Sequence, residues 1–133
     1  MLNKNILRKI PAILIMLAIT VLSSLPGNDP LLKTFEFSDK LKHAIAYFVL
    51  GVSFSLWIPG KKWLAKPVFW IAIIVALCTA FGFLDEFHQS FTPGRSGCDS
   101  SSCEWGDIIA NFSGGLIAAV AYCIATLALR RNI

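Results

Sequence analysis

Four apolar runs, at about 10–25, 44–58, 67–84 and 108–129, decide what this chain can become. Crossing a bilayer core takes roughly 20 apolar residues of helix, within a range of about 17–25. In hydrocarbon a backbone N–H or C=O has no water to pair with, so a long apolar run folds as a helix that satisfies its own groups. The third and fourth runs reach that length alone. The first and second reach it by recruiting flanking residues such as Arg8, Lys9, Leu41 and Lys42. Only 15% of the 133 residues are charged, against about a quarter in a soluble domain. The expectation is an all-α membrane protein, a single domain over 1–133. Its four transmembrane helices, at about 8–25, 41–58, 67–84 and 107–129, form a compact antiparallel bundle. Residues 1–25 also resemble a signal peptide, but no A-x-A cleavage site follows the apolar stretch, so the segment is read as a retained span.

Basic residues orient the bundle. The net charge of +4 comes in short clusters beside apolar runs, which fits membrane orientation and not nucleic-acid binding. Lys4, Arg8 and Lys9 lie at the amino end, Lys61, Lys62 and Lys66 between the second and third runs, and Arg130 and Arg131 at the carboxyl end. The loop after the third run carries Arg95 alone against Asp85, Glu86, Asp99, Glu104 and Asp107. Both termini and the middle loop are therefore expected in the cytoplasm, although Lys33, Lys40 and Lys42 soften the contrast. Trp57, Trp63, Trp70 and Trp105 fall near span ends, as interfacial aromatic belts do.

The chemistry gathers on the other, outer side. Asp39, His43 and Tyr47 are four residues apart and share one helical face. Ser38 suits the N-cap of that helix, and Asp39 its first turn. Asp85 and Gln89 share a face at the end of the third run, with His88 three residues from Asp85. Asp107 and Asn111 share a face at the start of the fourth. Ionisable groups at membrane depth are costly facing lipid, so these three faces should meet one another. A network that only locks the helices together is the plainer reading. Two imidazoles, a phenol, several carboxylates and an arginine also supply acid, base and anion-binding groups together.

On the functional reading His43 is the general base, oriented by Asp39 or Asp85. Arg95, after the Pro93-Gly94 turn, acts with Lys40 as an anion clamp. Gln89 and Asn111 donate hydrogen bonds, and Asp107 and His88 complete the binding set. His88 also reads as a wetted interfacial residue. Glu86, on a different face from Asp85, either points to solvent or pairs with Arg95 or Lys40. Small residues four apart (Gly114 and Ala118, Gly115 and Ala119, Gly51 and Ser55) permit the second and fourth runs to pack closely. Cys98 and Cys103 would form a small disulfide loop if the outside is oxidising. Cys78 and Cys123 read as packing residues. A metal site built from His43, His88 and carboxylates has no HExxH-type spacing behind it, and no cofactor is expected.

Three segments, D-K-L-K-H-A-I-A-Y-F-V-L-G (Asp39 to Gly51), D-E-F-H-Q-S-F-T-P-G-R (Asp85 to Arg95) and D-I-I-A-N-F-S-G-G (Asp107 to Gly115), together resemble the VanZ-like family of small bacterial membrane proteins. By that resemblance Asp39, Lys40, His43 and Tyr47 match the first motif, Asp85, Glu86, Gln89 and Arg95 the second, and Asp107 and Asn111 the third. The stretch between Arg95 and Asp107 looks longer than the family pattern. Asp99 thus rivals Asp107, and the spacing to Asn111 and Gly114 favours Asp107. The resemblance implies a bacterial cytoplasmic-membrane protein and an association with susceptibility to teicoplanin-type glycopeptide antibiotics. The expected ligand is an anionic envelope molecule, a lipid-linked phosphate or a glycopeptide, with membrane lipids around it. The alternative is a non-catalytic accessory protein whose polar cluster recognises a headgroup or locks the bundle. Four short spans leave little room for a transport pathway.

Overall fold

The computed structural model describes residues 3–34, 38–97 and 103–131. Their secondary structure is helical: α1 (Lys4–Leu7), α2 (Ile10–Ser23), α3 (Pro30–Lys33), α4 (Asp39–Ser55), α5 (Gly60–Ala65), α6 (Pro67–Gln89) and α7 (Trp105–Arg131). Three stretches, Lys4–Ser23, Pro67–Gln89 and Trp105–Arg130, are long and apolar enough to cross a membrane. The outer surface agrees, since Leu14, Val68, Leu84, Ile117 and Leu129 are each more than half exposed. That surface is costly in water and ordinary against lipid.

Local signals explain the helix limits. Ser38 caps α4, its Oγ accepting from the Leu41 N–H at 3.3 Å. α6 opens on Pro67, where a missing N–H costs nothing. Its apolar run ends at Leu84, but the helix continues to Gln89 because the polar residues there face protein. Gly94, at φ +71°, supplies the left-handed turn after α6.

α4 and α7 form the closest pair, and α6 packs on α7. Glycines set the distance. A Cβ on Gly51 would come within 2.8 Å of the Ala118 Cβ, and one on Gly115 within 2.7 Å of the Cys78 Cβ. The small residues of α4 and α7 thus bring their polar faces together, as their spacing suggested. The core below is apolar: Tyr47, Leu50, Phe54, Trp63, Ile74 and Cys78 among others. Cys78 and Cys123 are buried free thiols. Trp63 departs from the belt expectation. It is buried, with its indole N–H donating to the Ser55 carbonyl at 3.3 Å, because α5 turns it inward. Trp105 is 61% exposed and remains at the surface. The Cys98–Cys103 pairing and Asp99 fall outside the described residues.

Candidate functional site

The three polar faces do converge. His43 on α4 meets Asn111 on α7, its Nδ1 lying 2.9 Å from Asn111 Oδ1. A carboxamide oxygen only accepts, so Nδ1 carries the proton in that bond and a neutral ring leaves a lone pair on Nε2. Nε2 lies 3.9 Å from Asp107 Oδ2. Orientation by Asn111 replaces the expected orientation by Asp39 or Asp85. Asn111 is fully buried, and this bond occupies its oxygen. Gly82 on α6 makes room for it, since a Cβ there would approach Asn111 Nδ2 to 2.7 Å.

Glu86 is the residue most misjudged by helical spacing. It is fully buried, its Oε1 3.5 Å from His43 Nδ1, and neither carboxyl oxygen has a hydrogen-bond partner among the described residues. It reaches neither solvent nor a hydrogen bond to Arg95 or Lys40. Tyr47 is also buried, its ring nearly parallel to that of His43 at 6.5 Å, and its hydroxyl meets no hydrogen-bond partner among the described residues. Asp39, one turn before His43, is exposed, so the stripe Asp39–His43–Tyr47 descends from surface to core.

Two relays flank His43. In one, Arg95 Nη2 donates to Gln89 Oε1 at 2.9 Å, and Gln89 Nε2 donates to Asp85 Oδ2 at 3.2 Å. A guanidinium is thereby linked to a buried carboxylate through one amide. In the other, Lys40 Nζ donates to Asp107 Oδ1 at 2.7 Å and lies 3.6 Å from Glu104. Since Lys40 is half-exposed and Asp107 buried, this pair also marks where solvent reaches the cluster.

Several participants carry no sequence signal of their own. Ser23, at the end of α2, receives a bond from Gln89 Nε2 at 3.5 Å, and its carbonyl accepts from the Thr92 hydroxyl at 3.2 Å. The Gly27 N–H donates to the Pro93 carbonyl at 3.0 Å. His88 is exposed and sits 3.0 Å from Ser24 Oγ, helping to tie α2 to α6. Among the described residues no cluster of metal-ligating side chains joins the two imidazoles. Asp39, His43 and Asp107 do place donor atoms within 4.8 Å of one another.

A cavity of about 370 Å³ opens beside this network. Lys42, Arg95, Asp39, Asp85, Gln89 and His43 form its polar part, and Ile19, Leu22, Leu31, Leu32 and Ile45 its apolar part. Chemically the arrangement offers a lone pair at Nε2, a half-buried guanidinium, an ammonium and buried carboxyls around one space. Asp107 and Asn111 belong to the surrounding network, and His88 does not line the cavity.

Comparisons with known proteins bear on this arrangement. Searches of curated proteins and of solved structures each give no match. The VanZ/LLP1 family model matches residues 10–126, which takes in α2 through most of α7 and all three polar segments. The chain therefore belongs to the VanZ/LLP1 family.

Proposed function

We propose that this protein crosses the bacterial cytoplasmic membrane four times, both termini inside, and binds an anionic envelope molecule at an outward-facing polar site. α4 is the fourth span. At 17 residues it is roughly 26 Å long, slightly short of a hydrocarbon core of about 30 Å. The turn over Leu56 to Ile58 continues it. The Arg and Lys distribution supports the orientation.

One observation carries the binding reading: the division of the cavity. Lys42 and Arg95 stand on its polar side, and Ile19, Leu22, Leu31, Leu32 and Ile45 form an apolar wall. A lipid-linked phosphate suits that division, the headgroup at the cations and the chain along the wall. A glycopeptide is the other candidate ligand, and through it a link to teicoplanin-type susceptibility. If the site is catalytic, His43 Nε2 is the base, with Asp85 and Glu86 as neighbouring acids. A non-catalytic recognition site is the second reading. It is favoured by the engagement of Arg95 and Lys40 with Gln89 and Asp107, bonds that hold both cations in place.

The test is native mass spectrometry of protein purified from its own membrane in mild detergent. The expected result is a retained lipid carrying a phosphate headgroup at about one per chain. Protein that emerges with only zwitterionic lipid, in proportion to the bulk membrane, overturns the reading.

A further inference from the structure

The acidity of this site has a consequence beyond anion binding. Asp39, Asp85, Glu86, Glu104 and Asp107 gather around the His43 ring and its flanking relays. The basic side chains among them are Lys40, Lys42 and Arg95. Five carboxyls against three cations leave a formal charge of −2 when His43 is neutral. Glu86 shows the imbalance most plainly, being fully buried with neither oxygen partnered, 3.5 Å from the His43 ring. A buried carboxylate without a hydrogen bond is expensive. Such a group is neutralised either by a proton or by a cation bound nearby.

Geometry indicates where that charge belongs. Asp39, His43 and Asp107 each offer one donor atom, all within 4.8 Å of one another. His43 Nε2 and Asp107 Oδ2 are 3.9 Å apart. Donors sharing one ion at about 2.0–2.3 Å lie up to roughly 4.6 Å from each other. Only a trans pair reaches that limit, and cis or tetrahedral pairs lie about 3–4 Å apart, so bringing the three onto one ion takes a movement of up to about 1 Å, which exposed Asp39 can make at the first turn of α4. His43 is already held as a ligand would be. Asn111 Oδ1 accepts from the Nδ1–H, so the Nε2 lone pair is turned toward Asp107. Lys40 occupies only Asp107 Oδ1, leaving Oδ2, and Glu104 offers it a second partner.

We propose that Asp39, His43 Nε2 and Asp107 bind one divalent cation of the Mn²⁺ or Zn²⁺ class. One imidazole with two carboxylates is a mixed nitrogen–oxygen set that suits these ions better than Ca²⁺. The ion would neutralise the cluster and leave open coordination positions beside the cavity, which Asp39 and His43 both line. The claim does not depend on what the cavity holds, and no lipid is needed to test it.

The experiment is a titration of chelator-stripped, detergent-purified protein with Mn²⁺ alone, read by electron paramagnetic resonance. The expected result is saturable binding of one Mn²⁺ per chain, with modulation from a directly bonded imidazole nitrogen. Asp39→Asn, a near-isosteric change at an exposed position, should weaken binding at least tenfold. His43→Ala should remove the nitrogen signal. Asn111→Ala, which frees the ring from its outer partner, should weaken binding by about 10–100-fold. Absence of saturable binding by the unaltered protein overturns the proposal. So does binding without a nitrogen signal, or binding that Asp39→Asn leaves unchanged.

Discussion

Gly114→Val will leave little folded protein. Gly114 lies on α7 where it crosses α4, and a Cβ there would run into the Ala44 carbonyl oxygen and come within 2.9 Å of the Phe48 backbone nitrogen. Both obstacles are backbone atoms inside a helix, so no side chain can rotate away. Relief requires α4 and α7 to separate, and this is the most extensively packed helix pair among the described residues. Overpacking typically costs about 1–3 kcal/mol, and more where only backbone can yield. Separation would also break the His43–Asn111 and Lys40–Asp107 bonds that cross the same interface. Fluorescence-detected size-exclusion chromatography of a tagged protein should show the monodisperse peak reduced several-fold or lost. Ser113→Val, one residue earlier and only partly buried, should leave it in place. A normal peak for Gly114→Val would mean that α4 and α7 do not pack this way.

Glu86→Leu is expected to act in the opposite direction on stability. Most buried acids repay their desolvation with bonds, but Glu86 has none among the described residues. It also stands among Asp107, Asp85 and Asp39, all of the same sign, with Arg95 acting the other way. Leucine is similar in volume and carries no unpaired oxygen. Replacing poorly compensated buried charge with a packed apolar side chain is often neutral or stabilising by about 1–4 kcal/mol. For a chain of this size each kcal/mol moves the melting temperature by about 3–5 °C. A thermal melt in detergent should therefore show Glu86→Leu at or above the unaltered protein. If the cluster were only a lock between helices, removing one of its buried members would lower the melting temperature by several degrees. Stability gained by deleting a buried acid is the pattern of a residue kept for function.

Much of the fold was legible because membrane spans advertise themselves. Long apolar runs placed α2, α6 and α7, and the Ser38 cap with Asp39 behind it placed the start of α4. The motif residues His43, Asp85, Gln89, Asp107 and Asn111 could be assembled because spacing fixes a helical face and cost forbids that face from meeting lipid. Glu86 escaped the same logic. Periodicity says which way a residue points but not how many neighbours its helix has, and α6 is packed by α2, α4, α5 and α7. A face that looks spare on an isolated helix is interior here. His88 is exposed, as its reading as a wetted interfacial residue expects, but its partner Ser24 lies at the end of α2, more than sixty residues away, and no local pattern links the two. For Asn111 the geometry adds what spacing could not show: its oxygen accepts from His43, and its amide nitrogen has no partner among the described residues. Trp63 was misplaced because a tryptophan near a span end suits both a belt and a core, and the inward turn of α5 decides between them.

On the proposed function, the space bounded by Lys42, Arg95 and the apolar residues of α2, α3 and α4 takes an anionic amphiphile. The most direct measurement is the thermal shift of detergent-purified protein titrated with farnesyl phosphate. A ligand that binds the folded state alone at 100 times its Kd stabilises by about 2.7 kcal/mol. The account predicts a saturable rise in melting temperature with farnesyl phosphate and none with farnesol. It predicts loss of that rise in the Lys42→Ala, Arg95→Ala double variant. Equal shifts with farnesol, or an undiminished shift in the double variant, would contradict it.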